Sequence, residues 1–300
     1  MDSQNSLQSM LRQIGQEAEV ERLAAAFFDY EIGEQWGYQA EEWFHAASTI
    51  KVAVLLAVFG AVEERRFTLR SRLHVRNRFL SAADGRPYRV ESARDSNSTV
   101  QAAIGKTMTV GELAHHMIAT SSNLATNLLL DLVGVEYGRC MLERLHLEGI
   151  ELRRGVEDER AFEANINNRI TANGMIRLFR LIQEGHAFSS EASGRMLEIL
   201  HRQEFKSGIP AGLPYPIRAD ARVAHKTGEI STVAHDAGLV FLPERKPYAL
   251  AILTQSHPEN NRARDAVSKI SKVIYEHLTG SMSASEASGS GKDERGKRNE

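Results

Sequence analysis

The sequence contains a single cysteine, Cys140, which excludes an intrachain disulfide. It also has no long apolar run, since the longest, Val52–Val62, falls far short of the ~20 residues that span a bilayer. The sequence also lacks an excess of charge of either sign, because it has 37 basic and 39 acidic residues. This balance gives no electrostatic basis for binding nucleic acid. We therefore expect a chain without nucleic-acid or membrane partners.

The N-terminal segment Met1–Glu21 lacks the charged, apolar and small-residue regions of a signal peptide. The sequence as it stands predicts a soluble, cytoplasmic protein, and a periplasmic or secreted one if a leader has been removed. Cys140 lies in the apolar-rich run Tyr137–Leu147 and is expected to be buried rather than reactive. The 11 histidines form neither H-E-x-x-H nor another metal-binding pattern, so no metal or cofactor is predicted.

The two ends of the chain have strand patterns. Strands are expected at Arg22–Tyr30 and Glu34–Gln39, and at Asp236–Leu242 and Tyr248–Gln255, where Pro243-Glu244-Arg245-Lys246 marks a hairpin. Helical spacing predicts a helix at Leu7–Glu21 and another at Asn261–Leu278, stopped by Gly280. Residues 281–300 are Ser/Gly-rich and then charged, which predicts a disordered tail.

The middle of the chain has mainly helical patterns. Its apolar helix Ser48–Glu64 is expected to be buried on all sides. Further helices are expected at Val110–Ala119, Ser122–Leu132, Tyr137–Leu147, Thr171–Glu184 and Ser190–Gln203. The long polar loops Phe79–Gly105 and Glu151–Arg169 are of the kind that is usually functional or mobile. These patterns predict an α/β (α+β) fold, with one layer built from both termini and a helical region inserted between them.

A serine and a lysine stand three residues apart at the start of the most apolar helix, in Ser48-Thr49-Ile50-Lys51. Residues at i and i+3 share a helix face, so the hydroxyl and the amine are able to meet. Serine becomes a nucleophile when a neighbouring base takes its proton, and burial lowers the pKa of lysine toward the range of a base. The alternative is an N-cap serine followed by an ordinary lysine.

Two further short patterns follow. Ser121-Ser122-Asn123 begins a predicted helix and, taken alone, reads best as an N-cap. Lys226-Thr227-Gly228 precedes an apolar strand, where glycine leaves room for a ligand beside the backbone. Taken alone, this motif is better explained as an exposed lysine and a turn glycine. In order, however, S-x-x-K, S-x-N and K-T-G form a set characteristic of serine enzymes that react with penicillins.

With their flanking residues, these motifs resemble the class A β-lactamase and penicillin-recognising serine hydrolase family from about Arg22 to Leu278. Similar stretches include Phe44-His45-Ala46-Ala47 before Ser48, Thr107–Ile118 before the second motif, and Ala224-His225 before the third. The resemblance implies a class A β-lactamase-like fold, with an antiparallel sheet flanked by helices. It implies one catalytic domain over residues 1–280, with an α/β layer of about 1–46 and 205–280 and a helical region of about 47–204.

The resemblance also implies roles for individual residues. Ser48 would attack a strained amide or ester carbonyl and Lys51 would accept its proton, while Ser121 would pass a proton to the leaving nitrogen. Asn123 would hold the substrate's side-chain amide, and Lys226, Thr227 and Gly228 would line the site of its carboxylate. The backbone N–H groups of Ser48 and Glu229 would bind the oxyanion.

The match is weaker for the second half of the reaction. Glu157 is the best counterpart of the glutamate that activates the deacylating water, but Ala161 stands where the family has asparagine four residues later. Ser122 replaces the usual aspartate of the second motif. The strand after Lys226 lacks the arginine expected for the substrate carboxylate, and Arg218 and Arg222 are the candidates to replace it.

The leading prediction is therefore acyl-enzyme hydrolysis of a β-lactam or related cyclic amide by a monomer that binds a small-molecule amide or ester. The alternatives are a D,D-peptidase or esterase with the same acylation step, and a penicillin-sensing domain that acylates but barely turns over. A Ser-His-Asp triad that uses His225 or the pair His235-Asp236 is also left open.

Overall fold

The structure is a computed structural model that describes residues 2–260 and 262–289. Strands are labelled in chain order. They are β1 (Val20–Asp29), β2 (Glu34–Tyr38), β3 (Phe44–His45), β4 (Arg72–His74), β5 (Phe79–Leu80), β6 (Pro87–Tyr88), β7 (Thr107–Thr109), β8 (Ile150–Glu151), β9 (Arg169–Ile170), β10 (Arg222–Ile230), β11 (Val233–Phe241) and β12 (Tyr248–Ser256).

Helices are labelled in the same way. They are α1 (Asp2–Glu17), α2 (Lys51–Glu63), α3 (Ser98–Ala102), α4 (Val110–Ala119), α5 (Asn123–Val133), α6 (Val135–Arg144), α7 (Glu159–Glu163), α8 (Ala172–Gln183), α9 (Ser190–Leu200), α10 (Ile209–Gly212), α11 (Ile217–Asp220) and α12 (Ala263–Gly289). Short 3₁₀ turns occur at Ala47–Ile50 and Ser92–Arg94. Among the described residues, no helix combines the length and apolar character needed to cross a membrane.

The main sheet is antiparallel and draws its strands from both ends of the chain, in the order β10-β11-β12-β1-β2. Strand β1 is buried on both faces because its side chains alternate between two cores. Ala24 and Ala26 pack toward the inserted helices. Leu23, Ala25 and Phe27 pack toward α1 and α12. The predicted fold class is confirmed: a sheet lies between two layers of helices.

The inserted region surrounds helix α2, in which every residue from Lys51 to Ala61 is buried. Mean hydropathy is high around the whole helix, so it has no polar side to expose, as the sequence predicts. The residues before it differ from the prediction, because Ser48 lies in a 3₁₀ turn and the α-helix begins at Lys51. Tight turns of this type are common at α-helix N-termini.

Several sequence-based expectations are wrong at element ends. Helix α1 ends at Glu17 rather than Glu21, because Glu19 adopts the left-handed conformation at φ +53° and β1 begins at Val20. Helix α12 does not stop at Gly280 but continues to Gly289, since one glycine weakens a helix without ending it. The rest of the predicted disordered tail, residues 290–300, lies outside the described residues.

Cys140 is exposed, which contradicts its predicted burial. Helix α6 turns Gly138, Met141 and Leu142 toward the core, and this face follows the helical period of 3.6 residues. Cys140 falls outside the inward stripe, with its Sγ atom 3.9 Å from Glu136 Oε1.

Candidate active site

A cavity of about 1250 Å³ opens between the edge strand β10 and the helical region. Its walls include most of the residues that the three motifs single out. These are Ser48, Ser121, Asn123, Thr227, Gly228 and Glu229, together with Glu157 from the long polar loop. Lys51 and Lys226 lie beneath the wall, and both are completely buried. The fold therefore brings all nine predicted site residues to one place.

Lys51 has three acceptors around its amine. Its Nζ atom lies 2.7 Å from the Ser121 carbonyl oxygen, 2.7 Å from Asn123 Oδ1 and 3.1 Å from Ser121 Oγ. Burial lowers its pKa to about 7, although the carboxylates of Asp95 and Glu157 favour the charged form. An unprotonated amine keeps two N–H donors for the carbonyl and amide oxygens. Its lone pair is then available to accept from the hydroxyl of Ser121, whose Oγ lies 3.1 Å away.

The backbone around the nucleophile candidate is constrained. Ala47, directly before Ser48, has φ +44°, and Ser121 has φ +59°. Left-handed conformations are rare for residues with a side chain and cluster at functional sites. Ser48 is partly exposed at the cavity wall, so its hydroxyl is accessible from the cavity.

Strand β10 presents the third motif at the sheet edge, where one side of the strand is open to a ligand. Lys226 donates from Nζ to the Thr227 carbonyl oxygen at 2.8 Å. Burial lowers the pKa of Lys226, and the nearby Lys51 lowers it further. A Cβ atom added to Gly228 would lie 2.9 Å from Thr49 Cγ2 and 3.0 Å from Thr49 N. Glycine thus lets the strand touch the turn that holds Ser48.

Glu157 is held at the opposite wall, also in a left-handed conformation at φ +59°. Its Oε1 accepts from Asn123 Nδ2 at 3.1 Å, and Arg94 Nε approaches Oε2 at 2.7 Å, off the direction of a hydrogen bond. Burial raises the pKa of this carboxyl, while Arg94 and Lys51 oppose the change. Asn123 therefore links Lys51 to Glu157.

Asparagine 127 supports the loop that carries Glu157. Its side chain exchanges two hydrogen bonds with the backbone of Val156, at 2.9 Å and 2.8 Å. Ala161, which stands where the resemblance leads one to expect an asparagine, is fully buried in α7. The loop is thus fixed from α5, behind the site, rather than by an amide four residues after Glu157.

Asp95 is a residue that the sequence analysis missed. Its carboxylate accepts from the backbone N–H groups of Asn123 and Leu124 at 3.1 Å and 3.0 Å, and Ser122 Oγ lies 3.3 Å away. A negative charge is favourable at the N-terminus of a helix, here α5. Asp95 thereby brings a carboxylate to the second motif, where Ser122 has replaced aspartate. No local pattern pointed to it, because 26 residues separate it from Ser121.

The cations suggested for the substrate carboxylate are in the wrong place. Arg218 donates to the carbonyl oxygen of Leu213, and Arg222 begins β10 at the end distant from Gly228. Arg264 of α12 lines the cavity instead, as does Lys206. Arg264 forms a two-bond ion pair with the side chain of Glu229, with Nε 3.2 Å from Oε2. This pair was invisible in the sequence because α12 and β10 are far apart along the chain.

A Ser-His-Asp triad does not form among the described residues. His225 Nδ1 lies 2.8 Å from Asp236 Oδ1, so this pair exists, but both side chains are fully buried and neither lines the cavity. Asp236 also accepts from Ile209 N at 2.8 Å. The pair joins β10, β11 and α10, which is the supporting role that the sequence favoured.

A sheet with inserted helices, and a serine beside a buried lysine of lowered pKa, are features of serine hydrolases that act through an acyl-enzyme. Comparison with known proteins identifies the family. The chain matches the family described as "Beta-lactamase enzyme family" over residues 6–278. It therefore belongs to the β-lactamase enzyme family.

Individual relatives agree with this assignment. A β-lactamase of Bacteroides uniformis is 26% identical over 82% of this chain and 83% of its own length. One of Kitasatospora aureofaciens is 28% identical over 86% of this chain and 81% of its own length. Among solved structures, PBP-A has a TM-score of 0.78 at 25% identity, covering 92% of this chain and 96% of its own. A PBP-A variant has been solved as an acyl-enzyme complex with penicillin G, with a TM-score of 0.76.

Proposed function

We propose that this chain hydrolyses a β-lactam or a related cyclic amide through an acyl-enzyme on Ser48. The observation that carries the proposal is the environment of Lys51: a fully buried amine with a pKa of about 7, three residues after Ser48 in the chain, whose Nζ atom lies 3.1 Å from Ser121 Oγ. A lysine of this kind is a base at neutral pH. Family membership and the names of the relatives support the same reaction.

Acylation proceeds from the free amine. Lys51 takes the proton of Ser48 as the hydroxyl attacks the carbonyl carbon, and the backbone N–H groups of Ser48 and Glu229 bind the oxyanion. As the C–N bond of the substrate breaks, Ser121 passes its proton to the departing nitrogen and receives in exchange the proton that Lys51 took from Ser48, since Lys51 Nζ contacts Ser121 Oγ. Asn123 holds the substrate's side-chain amide. Lys226, Thr227 and Gly228 form the carboxylate end of the site, where Arg264 adds a further cation.

Deacylation uses a water molecule activated by Glu157. This role is supported by the position of its carboxylate in the cavity wall and by burial, which raises its pKa and makes it a stronger base. The scheme uses side chains and backbone groups only. We also propose that residues 1–280 act as one catalytic domain and as a monomer. The location in the cell stays a prediction.

The test follows intact mass after mixing with a penicillin, a cephalosporin or an activated ester, while absorbance reports hydrolysis. We expect a transient adduct with penicillin and none in Ser48→Ala. Glu157→Gln should form the adduct and retain it, because the water is no longer activated. Glu159→Gln is the matched control: it also pairs with Arg94, but its side chain is 70% exposed.

Other outcomes are equally informative. A long-lived adduct in the unaltered protein would favour the D,D-peptidase or sensor reading. The absence of any adduct, or an adduct that persists in Ser48→Ala, would remove the nucleophile assignment. Unchanged turnover in Glu157→Gln would remove Glu157 as the base.

A further inference from the structure

Two histidines, the half-buried His45 and the buried His235, contact the segment that leads into Ser48, and none of the three motifs includes them. His45 belongs to β3, three residues before Ser48, and lines the cavity. His235 belongs to β11, where it is paired with Gly228 of β10 and is only 4% exposed. In the sequence, His45 is only a flank of the first motif, and His235 is assigned either support of the third motif or a place in a Ser-His-Asp triad, which does not form among the described residues.

The hydrogen bonds of His235 determine its protonation state. The backbone N–H of Thr254 donates to Nδ1 at 3.1 Å, so Nδ1 carries no proton. On the other side of the ring, Nε2 lies 3.0 Å from the carbonyl oxygen of His45, which only accepts. Nε2 must therefore hold the hydrogen, and the ring is neutral. It connects β12 to the backbone of residue 45.

The ring of His45 is neutral for the same reason. The backbone N–H of Ala47 donates to its Nδ1 at 3.1 Å, which leaves the hydrogen on Nε2. Arg154 Nη2 lies 3.5 Å from Nε2. Because both of these nitrogens are donors, they form no hydrogen bond with each other. Arg154 is the charged group that faces His45, and His45 is the titratable group that faces His235.

Burial is the main cause that lowers the pKa of each histidine to about 4, and the charge of Arg154 adds to the effect at His45. At neutral pH both rings therefore keep the acceptor and donor that these contacts need. Protonation would place a hydrogen on Nδ1 opposite a backbone N–H, which would break the contact.

These contacts hold a strained piece of backbone. Ala47 has φ +44°, a conformation that is unfavourable for a residue with a side chain and persists only where the surroundings enforce it. The bond to His45 Nδ1 anchors the Ala47 N–H, and His235 anchors the carbonyl of His45, two residues earlier. The next residue is Ser48, whose hydroxyl and backbone N–H must both be aimed at the substrate carbonyl.

We propose that His45 and His235 are positioning residues for acylation, which hold Ala47 in its left-handed conformation and thereby set the direction of the Ser48 hydroxyl and N–H. Neither ring exchanges a proton with the substrate. The proposal rests on the proposed function for its kinetic test, and on hydrogen bonding alone for its spectroscopic test.

Three substitutions at His45 separate the effect of losing the hydrogen-bond acceptor from the effect of changing the size of the side chain. Asn carries its amide oxygen at the position of Nδ1 and keeps the bond to Ala47 N–H. Gln places its polar atoms near the position of Nε2 and therefore loses the bond to the Ala47 N–H. Leu has no hydrogen-bond acceptor at all. We expect His45→Gln and His45→Leu to reduce the acylation rate constant by about 10²-fold, the loss typical when one oxyanion donor is misplaced. His45→Asn should stay within a few-fold, with KM changed little in all three.

The matched control is His201→Asn, which removes another half-buried histidine whose pKa burial lowers to about 4 but which does not line the cavity. It should acylate normally. If His45→Leu does not fold, the comparison of His45→Asn with His45→Gln still tests the proposal. Equal rates for His45→Asn and His45→Gln, or normal acylation in His45→Leu, would overturn the proposal.

A second measurement needs no substrate. Nitrogen-15 NMR of the histidine rings, assigned with His45→Asn and His235→Asn, should show the neutral Nε2–H tautomer for both from pH 5 to 7. A charged ring or an Nδ1–H tautomer at pH 6 would overturn the proposal even if the enzyme is active. If the unaltered protein reacts with no β-lactam or ester while both tautomers are as expected, the proposed function fails and the positioning of this turn stands.

Discussion

At the residue scale, the chemistry of the cavity depends on the protonation of one amine. Lys51 is surrounded by apolar side chains of α2, and its three acceptors all lie on the cavity side. Burial disfavours the charged form, while the acceptors favour any form that donates. As a result, the unprotonated amine of Lys51 still donates hydrogen bonds through its N–H groups and is also able to accept a proton.

The pH dependence of acylation should report Lys51. Because the amine must be unprotonated, the rate constant for adduct formation should be level above pH 7 and fall about tenfold per pH unit well below the pKa of about 7. Lys51→Met should lower the rate by at least about 10²-fold and abolish this dependence. Lys269→Met, which changes an exposed lysine, should leave both unchanged. An acid limb that persists in Lys51→Met would assign the limb to another group.

At the scale of single elements, the site depends on one helix end and one strand edge. Helix α5 begins between Asp95, which accepts its first N–H groups, and Lys51, which bonds Asn123. Strand β10 reaches the nucleophile turn because Gly228 has no side chain. Both elements connect parts of the chain that are distant in sequence.

Asp95→Asn should destabilise the protein by about 1–2 kcal/mol, because a charge at a helix N-terminus and its charge-assisted bonds are lost. Acylation should slow as well, since Asn123 and Ser121 shift with the helix end. Asp131→Asn is the control on the same helix: this side chain is 45% exposed and paired with Arg76, so the change should stay within about 0.5 kcal/mol. Urea unfolding measures the stability of both variants. Equal losses of unfolding free energy would show that Asp95 stabilises the helix no more than an exposed carboxylate does.

Gly228→Ala should reduce acylation by more than about tenfold, because the added Cβ meets Thr49 N at 3.0 Å and forces β10 away from the turn. Gly194→Ala provides the contrast. Apart from the nearby backbone of α9 itself, no described atom lies within 4 Å of the added Cβ, so the substitution should be neutral or stabilise the helix by up to about 1 kcal/mol. Normal acylation in Gly228→Ala would show that the close approach of strand and turn is not required.

At the scale of the whole molecule, the sheet separates two cores and the cavity lies where the sheet edge meets the inserted helices. Building the site at this junction places its two lysines in the low-dielectric interior while Ser48 stays partly exposed. It also buries histidines near the site. The stability of the molecule is thereby linked to pH.

We expect stability to fall as pH decreases from about 6.5 to 4. In the unfolded chain the histidines take up protons near pH 6.5, but burial lowers the pKa of His45, His201 and His235 to about 4 in the fold. The unfolded state therefore binds more protons in this window, and the loss should be on the order of a few kcal/mol. Urea midpoints between pH 4 and 8 measure it; a constant midpoint over that window would contradict the lowered pKa values.

Much of this molecule was predictable because it depends on local pattern. Strand β12 and helix α4 were placed within a residue of their ends, since alternation and helical spacing are properties of short windows. The ends of α1 and α12 were not, because one depends on the backbone of Glu19 and the other on a glycine that a long helix tolerates. Cys140 was misjudged because an apolar window does not say which side of a helix faces the core.

By itself, the sequence determined the sheet built from both termini, the buried helix α2 and the residues of the three motifs, because each is written in consecutive or periodic positions. Only the tertiary structure decided which groups join them. It brought Asp95 to the start of α5, Arg264 to Glu229, and His235 to the carbonyl of His45. These contacts link positions 28 to 190 residues apart. No short-range pattern constrains such pairings, and they are set by the packing of the sheet against the helices.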